Sequence, residues 1–133
     1  MIPQTWRIQV QNATGVALAA TDTITGTGQG KYISSAGALT YGANTAFLPS
    51  TSGNSLANGA VANGATQTNT LFFGLDMIGE AAISTATPAG NLNFFLQYSP
   101  DGGTTWPANG MGQLVGVMYC TAVGTQGNIE MSA

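Results

Sequence analysis

The residues best suited by type and spacing to do chemistry lie in one short run, Ser99-Pro100-Asp101-Gly102-Gly103-Thr104-Thr105-Trp106. It fits the Asp-box pattern Ser-x-Asp-x-Gly-x-Thr-Trp at every defined position, here Ser99, Asp101, Gly103, Thr105 and Trp106. Asp101 can accept hydrogen bonds from backbone N–H groups in a turn, Gly102 and Gly103 tolerate positive φ, and Trp106 can tuck its ring behind a hairpin. Pro107 then keeps the next segment off a ladder donor position.

Asp-boxes recur blade after blade in sialidase-like propellers. One copy in 133 residues is too little for such a propeller, and Arg7 alone cannot form the arginine cluster that binds a carboxylated sugar. The motif therefore reads as a folding device.

Other reactive types are sparse. Asp76 and Glu80 lie four apart, sharing a face on a helix but standing about 13 Å apart on a strand. Paired-carboxylate glycoside hydrolysis needs about 5–9.5 Å across a cleft, so solvated carboxylates are the better account. Asp22, Asp76 and Asp101 show no EF-hand spacing. There is no His, which removes the commonest general base and metal ligand. Cys120 lies in an apolar strand between Tyr119 and Thr121 with no basic neighbour to lower its pKa, as a small core hydrophobe would. Thr21, Thr23, Thr25 and Thr27 put four hydroxyls on one strand face. Ice-binding arrays repeat such ladders on adjacent strands, which this chain does not, so a solvent- or partner-facing strand is expected. No catalytic, cofactor-binding or metal-binding residue is predicted, and no enzyme.

Composition narrows the partners. Only seven side chains are charged (Arg7, Asp22, Lys31, Asp76, Glu80, Asp101 and Glu130), where a domain of this length usually has about 33. Neutral polar residues fill the gap: Thr, Asn, Ser and Gln make up 44 of the 133. Two basic residues and a net charge of −3 argue against nucleic acid. No apolar run approaches the roughly 18 residues of a membrane span. Met1-Ile2-Pro3-Gln4-Thr5-Trp6-Arg7 lacks the basic and apolar regions of a secretory signal, and one cysteine permits no internal disulfide. The expectation is a single cytoplasmically made domain over residues 1–133, binding neither nucleic acid nor membrane.

The elements that must position these residues read as strands. Trp6, Ile8 and Val10 alternate with Arg7, Gln9 and Gln11, the period of a half-buried strand. Residues 16–20 and 21–27 suggest a second strand or a bent pair. Residues 31–34 and 39–41 are shorter candidates. Residues 70–78 place Leu71, Phe73, Leu75 and Met77 on one face, and residues 91–99 do the same for Leu92, Phe94, Leu96 and Tyr98. Residues 113–121 are apolar on both faces, which predicts a central strand or one with a face against a partner. Residues 126–131 suggest a last edge strand, and residues 77–84 are the one candidate for a helical turn. Seven or eight short strands predict an all-β fold: one β-sandwich, jelly-roll-like.

Residues 50–69 differ in kind. Leu56-Ala57-Asn58-Gly59-Ala60 and Val61-Ala62-Asn63-Gly64-Ala65 repeat x-Ala-Asn-Gly-Ala, and no charged or aromatic residue occurs in the stretch. Two readings stand: a floppy surface loop, or an arm ordered only on a neighbouring subunit.

Trp6-Arg7-Ile8-Gln9-Val10-Gln11-Asn12, together with residues 93–107 (Asn93-Phe94-Phe95-Leu96-Gln97-Tyr98-Ser99 running into the Asp-box and Pro107), resembles small virion proteins of tailed bacteriophages that decorate or cement the head. The second segment is the more specific, and the repeat departs from the pattern. The resemblance implies a sandwich without catalysis or cofactor, located on the virion capsid after assembly in the host cytoplasm. Its implied partners are the major capsid protein and copies of itself, as a dimer or trimer. Candidate subunit contacts are Leu56, Asn58, Val61 and Asn63 in the uncharged loop, and residues 1–5. A tail-tube or neck component fits the same class. A carbohydrate-binding sandwich using Trp6, Trp106 or exposed tyrosines as stacking platforms is the rival from another class.

Overall fold

The structure is a computed structural model describing residues 4–69, 71–84 and 87–133. Two antiparallel sheets pack face to face, and no helix forms among the described residues. The strands are β1 (Thr5–Ala13), β2 (Thr23–Ile33), β3 (Leu39–Tyr41), β4 (Thr45–Leu48), β5 (Val61–Asn63), β6 (Gln67–Thr68), β7 (Gly74–Ile83), β8 (Gly90–Tyr98), β9 (Gln113–Cys120) and β10 (Gly124–Ser132). The first sheet runs β5-β1-β8-β9, with β6 also on β1. The second runs β10-β7-β2-β3, with β4 also on β2. The chain is thus a β-sandwich, as the alternation in its sequence predicts.

Period-two patterning explains the core. Trp6, Ile8 and Val10 of β1 and Leu92, Phe94 and Leu96 of β8 turn inward from the first sheet, each 4% exposed or less. Ile24, Leu75, Met77, Ala81 and Ile83 meet them from the second. The Trp6 ring tilts against Phe47, centroids 5.1 Å apart, while its buried indole N–H has no hydrogen-bond partner among the described residues. On β2 the inward positions are largely glycine. A Cβ on Gly30 would stand 2.2 Å from the Phe72 ring, so only a bare backbone lets Phe72 lie across the strand.

Several expectations are corrected. Residues 77–83 are not helical but belong to strand β7, paired to both β2 and β10, because those neighbours supply its ladder bonds. β7 begins at Gly74, so Leu71 and Phe73 run past the core and stay exposed; Thr70 lies outside the described residues. Residues 16–22 precede β2 rather than forming a strand. β9 is an edge strand of the first sheet, not a central one. Its inward Met118 and Cys120 are core, but its outward Leu114 and Tyr119 are 53% and 76% exposed. β10 is the edge strand expected near 126–131. Both edges carry a register shift, β9 opposite Phe94/Phe95 and β10 between Thr125 and Asn128, which hinders further strand addition.

The greatest departure is residues 50–69, which are not a structureless loop. Their second half runs antiparallel along the whole edge of β1. The Asn12 N–H donates to Ala60 O, β5 pairs with residues 9–11, β6 pairs with Thr5 and Trp6, and the Asn69 N–H donates to Gln4 O. The repeat acquires a physical meaning here. Gly59 N–H donates to Asn12 O at 2.7 Å and Gly64 N–H to Ile8 O at 2.8 Å, so equivalent glycines grip β1 four residues apart.

Candidate interaction surface

In the Asp-box, one carboxylate oxygen organises the turn. Asp101 Oδ1 accepts from Ser99 Oγ (2.8 Å), Thr104 N–H (3.1 Å) and Thr105 N–H (2.8 Å). Gly103 N–H donates to Ser99 Oγ at 2.8 Å, with φ of 73° and 104° at Gly102 and Gly103. Hydrogen bonds from the Thr105 side chain, then Thr105 N–H and Ser99, hold the Asp101 carboxyl at about 2. Trp106 Nε1 donates to Gly103 O at 3.0 Å. The half-buried Trp106 ring has the Arg7 guanidinium 4.3 Å from its centroid.

This turn begins a longer device. Residues 99–112 fold back over the outer face of the first sheet and seal two side chains that strand alternation points outward, Gln9 and Gln97. Gln97 Nε2 donates to Met111 O (2.7 Å) and Ala108 O (3.3 Å), and Gly110 N–H donates to Gln9 Oε1 (2.8 Å). Gln9 Nε2 also donates to Asn63 Oδ1 at 2.7 Å, and Arg7 Nε to Gln97 Oε1 at 3.0 Å. Burying amides is tolerable because every donor and acceptor is used. Nothing in the sequence marked these glutamines: Gln97 lies in β8, from which the loop leaves, and Gln9 in β1, the neighbour of β8 in the sheet.

The proposed contact residues separate. Leu56 is 8% exposed and belongs to the core, its carbonyl taken by Leu18 N–H and Asn12 Nδ2, so it cannot touch a partner. Val61 is half-buried. Asn58 and Asn63 are exposed, but their Oδ1 atoms accept from Gly15 N–H and Gln9 Nε2. Thr5 is buried in β1, Gln4 is exposed, and residues 1–3 lie outside the described residues.

Charge divides the two outer faces. Lys31, Asp76, Glu80 and Glu130 all stand on the outer face of the second sheet, where Lys31 Nζ meets Asp76 Oδ1 at 2.8 Å. Asp76 and Glu80 flank Ile78 on the same strand, bordering an open groove of about 900 Å3 with Thr25, Thr27 and Glu130. Among the described residues no group of acidic or sulfur side chains could hold a metal ion. Asp22 is buried at the loop before β2. Burial alone would raise its carboxyl, but bonds from Ala19 N–H, Ser84 Oγ and Ser84 N–H outweigh this and hold it below its ordinary value.

The first sheet presents only Arg7, turned under Trp106, and Asp101, tied into its turn. Beside them runs an uncharged strip on β9: Leu114, Val117 and Tyr119, opposite Phe95, Asn93 and Asn91 of β8, with Met111 60% exposed at its end. Cys120 faces inward from the same strand, and burial pushes its thiol up. No protein-family model, curated protein or solved structure matches the chain.

Proposed function

We propose that the protein is a non-enzymatic structural component of a virus particle, a capsid decoration or cement protein, and that it meets its neighbours through the outer face of the first sheet. One observation carries this reading: four of the seven charges lie on the outer face of the second sheet around Ile78, while the first exposes Leu114, Tyr119 and Met111 together and its two charges, Arg7 and Asp101, are held in the Trp106 contact and the Asp-box turn. Large apolar residues grouped on an exposed surface mark contact sites, and interface cores are depleted in charge. The acidic face then looks to solvent. The pairing of β1 with β8 and of β2 with β7 supports a jelly-roll-like winding of the kind found in capsid proteins. The partners are the major capsid protein and further copies of this chain. The Trp106 face occupied by Arg7 speaks against a sugar-stacking platform.

Binding to undecorated capsids tests the assignment. Tyr119→Asp and Leu114→Asp should abolish co-sedimentation with particles, while Glu80→Lys and Glu130→Lys should leave it intact. Equal binding by all four variants, or a wild-type protein that stays monomeric and ignores every particle offered, would sink the proposal.

A further inference from the structure

The chain contains three Asn-Gly dipeptides, and each is preceded by alanine: Ala57-Asn58-Gly59, Ala62-Asn63-Gly64 and Ala108-Asn109-Gly110. Asn-Gly is the sequence most prone to spontaneous deamidation. The glycine backbone nitrogen, having lost its proton, attacks the asparagine Cγ. A C–N bond forms, the side-chain nitrogen leaves as ammonia, and water opens the cyclic imide to aspartate or isoaspartate. Reaction requires a glycine nitrogen free to attack and a side chain free to swing over it. Identical tripeptides would react alike in an unfolded chain, so any difference belongs to the fold.

The three sites are held differently. At Asn58, the side-chain oxygen accepts from Gly15 N–H and Gly59 N–H donates to the β1 carbonyl of Asn12. At Asn63, the oxygen accepts from buried Gln9 and Gly64 N–H donates to the β1 carbonyl of Ile8. Both reacting groups are thus engaged at both copies of the repeat. Asn109 is exposed and its side chain makes no hydrogen bond among the described residues. Among the described residues Gly110 N–H is held only by the side chain of Gln9. Releasing Asn58 or Asn63 requires peeling the strap from β1, whereas releasing Asn109 requires a local opening of one surface turn.

We infer that Asn109 is a site of spontaneous deamidation in the folded protein, while Asn58 and Asn63 are protected. The product has a consequence for the fold. Isoaspartate adds a backbone carbon between Ala108 O and Gly110 N, two of the atoms that hold Gln97 and Gln9. The modified chain should loosen residues 99–112 over the first sheet.

The test is peptide mass mapping of the full chain aged in mildly alkaline buffer, folded and in urea. In the folded protein the mass gain of amide-to-acid conversion should appear at Asn109 at least about tenfold faster than at Asn58 or Asn63. In urea the three rates should converge. Aged wild type should lose thermal stability, whereas aged Asn109→Ala should not. The inference is overturned if Asn58 or Asn63 reacts as fast in the folded chain, or if Asn109 remains equally favoured in urea.

Discussion

Gln9 and Gln97 bind each other reciprocally. Gln9 Nε2 donates to Gln97 Oε1 at 3.3 Å and Gln97 Nε2 to Gln9 Oε1 at 3.2 Å, with neither side chain exposed. They sit diagonally on neighbouring strands, since Gln9 is level with Phe95 and Gln97 with Arg7. Gln97→Leu would take the partner from Arg7 Nε and from the Met111 carbonyl, and would remove bonds from Gln9 and the Ala108 carbonyl. The cost should be about 2–4 kcal/mol. Gln9→Leu with Gln97→Leu should cost less than the sum of the two single changes, because the second deletion finds its partner already lost. Urea midpoints of the four proteins measure this, and additive costs would dissociate the pair.

Asp101 makes stability depend on acid. Its carboxyl is held at about 2 against an ordinary 3.8, so the folded state prefers it ionised. The contribution is fully present above pH 3.8 and disappears as pH falls toward 2. Asp101→Asn should lower Tm by a few degrees at neutral pH, and the gap from wild type should close in acid. A gap that persists at the acid end would place the effect elsewhere.

How much of this was readable follows from what each element depends on. β1 and β8 bury alternate residues against one sheet face, so Trp6-x-Ile8-x-Val10 and Leu92-x-Phe94-x-Leu96 carry their own signal. The Asp-box likewise closes its bonds within a few residues. The strap over β1 does not: Ala, Asn and Gly have little strand propensity, and residues 61–68 are extended only because β1 offers carbonyls and amides at the right interval. Gln9 and Gln97 alternate with core residues and so point outward. Their burial depends on a loop whose return path is not encoded locally. Apolar character on both faces of β9 has two causes, a core on one side and exposed contact residues on the other, which periodicity cannot separate.

Asp22 ties the approach to β2 to the end of β7. Its Oδ2 accepts from Ala19 N–H at 2.8 Å, and its Oδ1 from Ser84 N–H and Ser84 Oγ at 2.8 and 2.7 Å. Asp22→Ala takes the acceptor from three donors at a part-buried site, and should cost about 2–3 kcal/mol. Ser84→Ala removes only the hydroxyl and should cost about 1 kcal/mol. Because bonds to the ionised form dominate at Asp22, its contribution also fades in acid, with the same sign as Asp101. Denaturant midpoints at neutral and acid pH measure both, and equal losses for the two variants would contradict this hierarchy.

The two copies of x-Ala-Asn-Gly-Ala look interchangeable in sequence but should respond differently to the same substitution. Gly59 has φ +83° and open space around a Cβ, so Gly59→Ala meets only backbone strain, about 1 kcal/mol. At Gly64 a Cβ would stand 1.9 Å from Phe47 O and 3.1 Å from Ile8 O. Those atoms are backbone and cannot turn aside. The added methyl must push the strap off β1 or β4 off the strap. Gly64→Ala should therefore cost about 3 kcal/mol or more and release the Asn63 bond to Gln9 with it. Hydrogen exchange should show faster exchange at Gly64 and along β5 in that variant, with Gly59→Ala confined to its own turn. The opposite order of costs would mean that the repeat grips β1 from its first copy rather than its second.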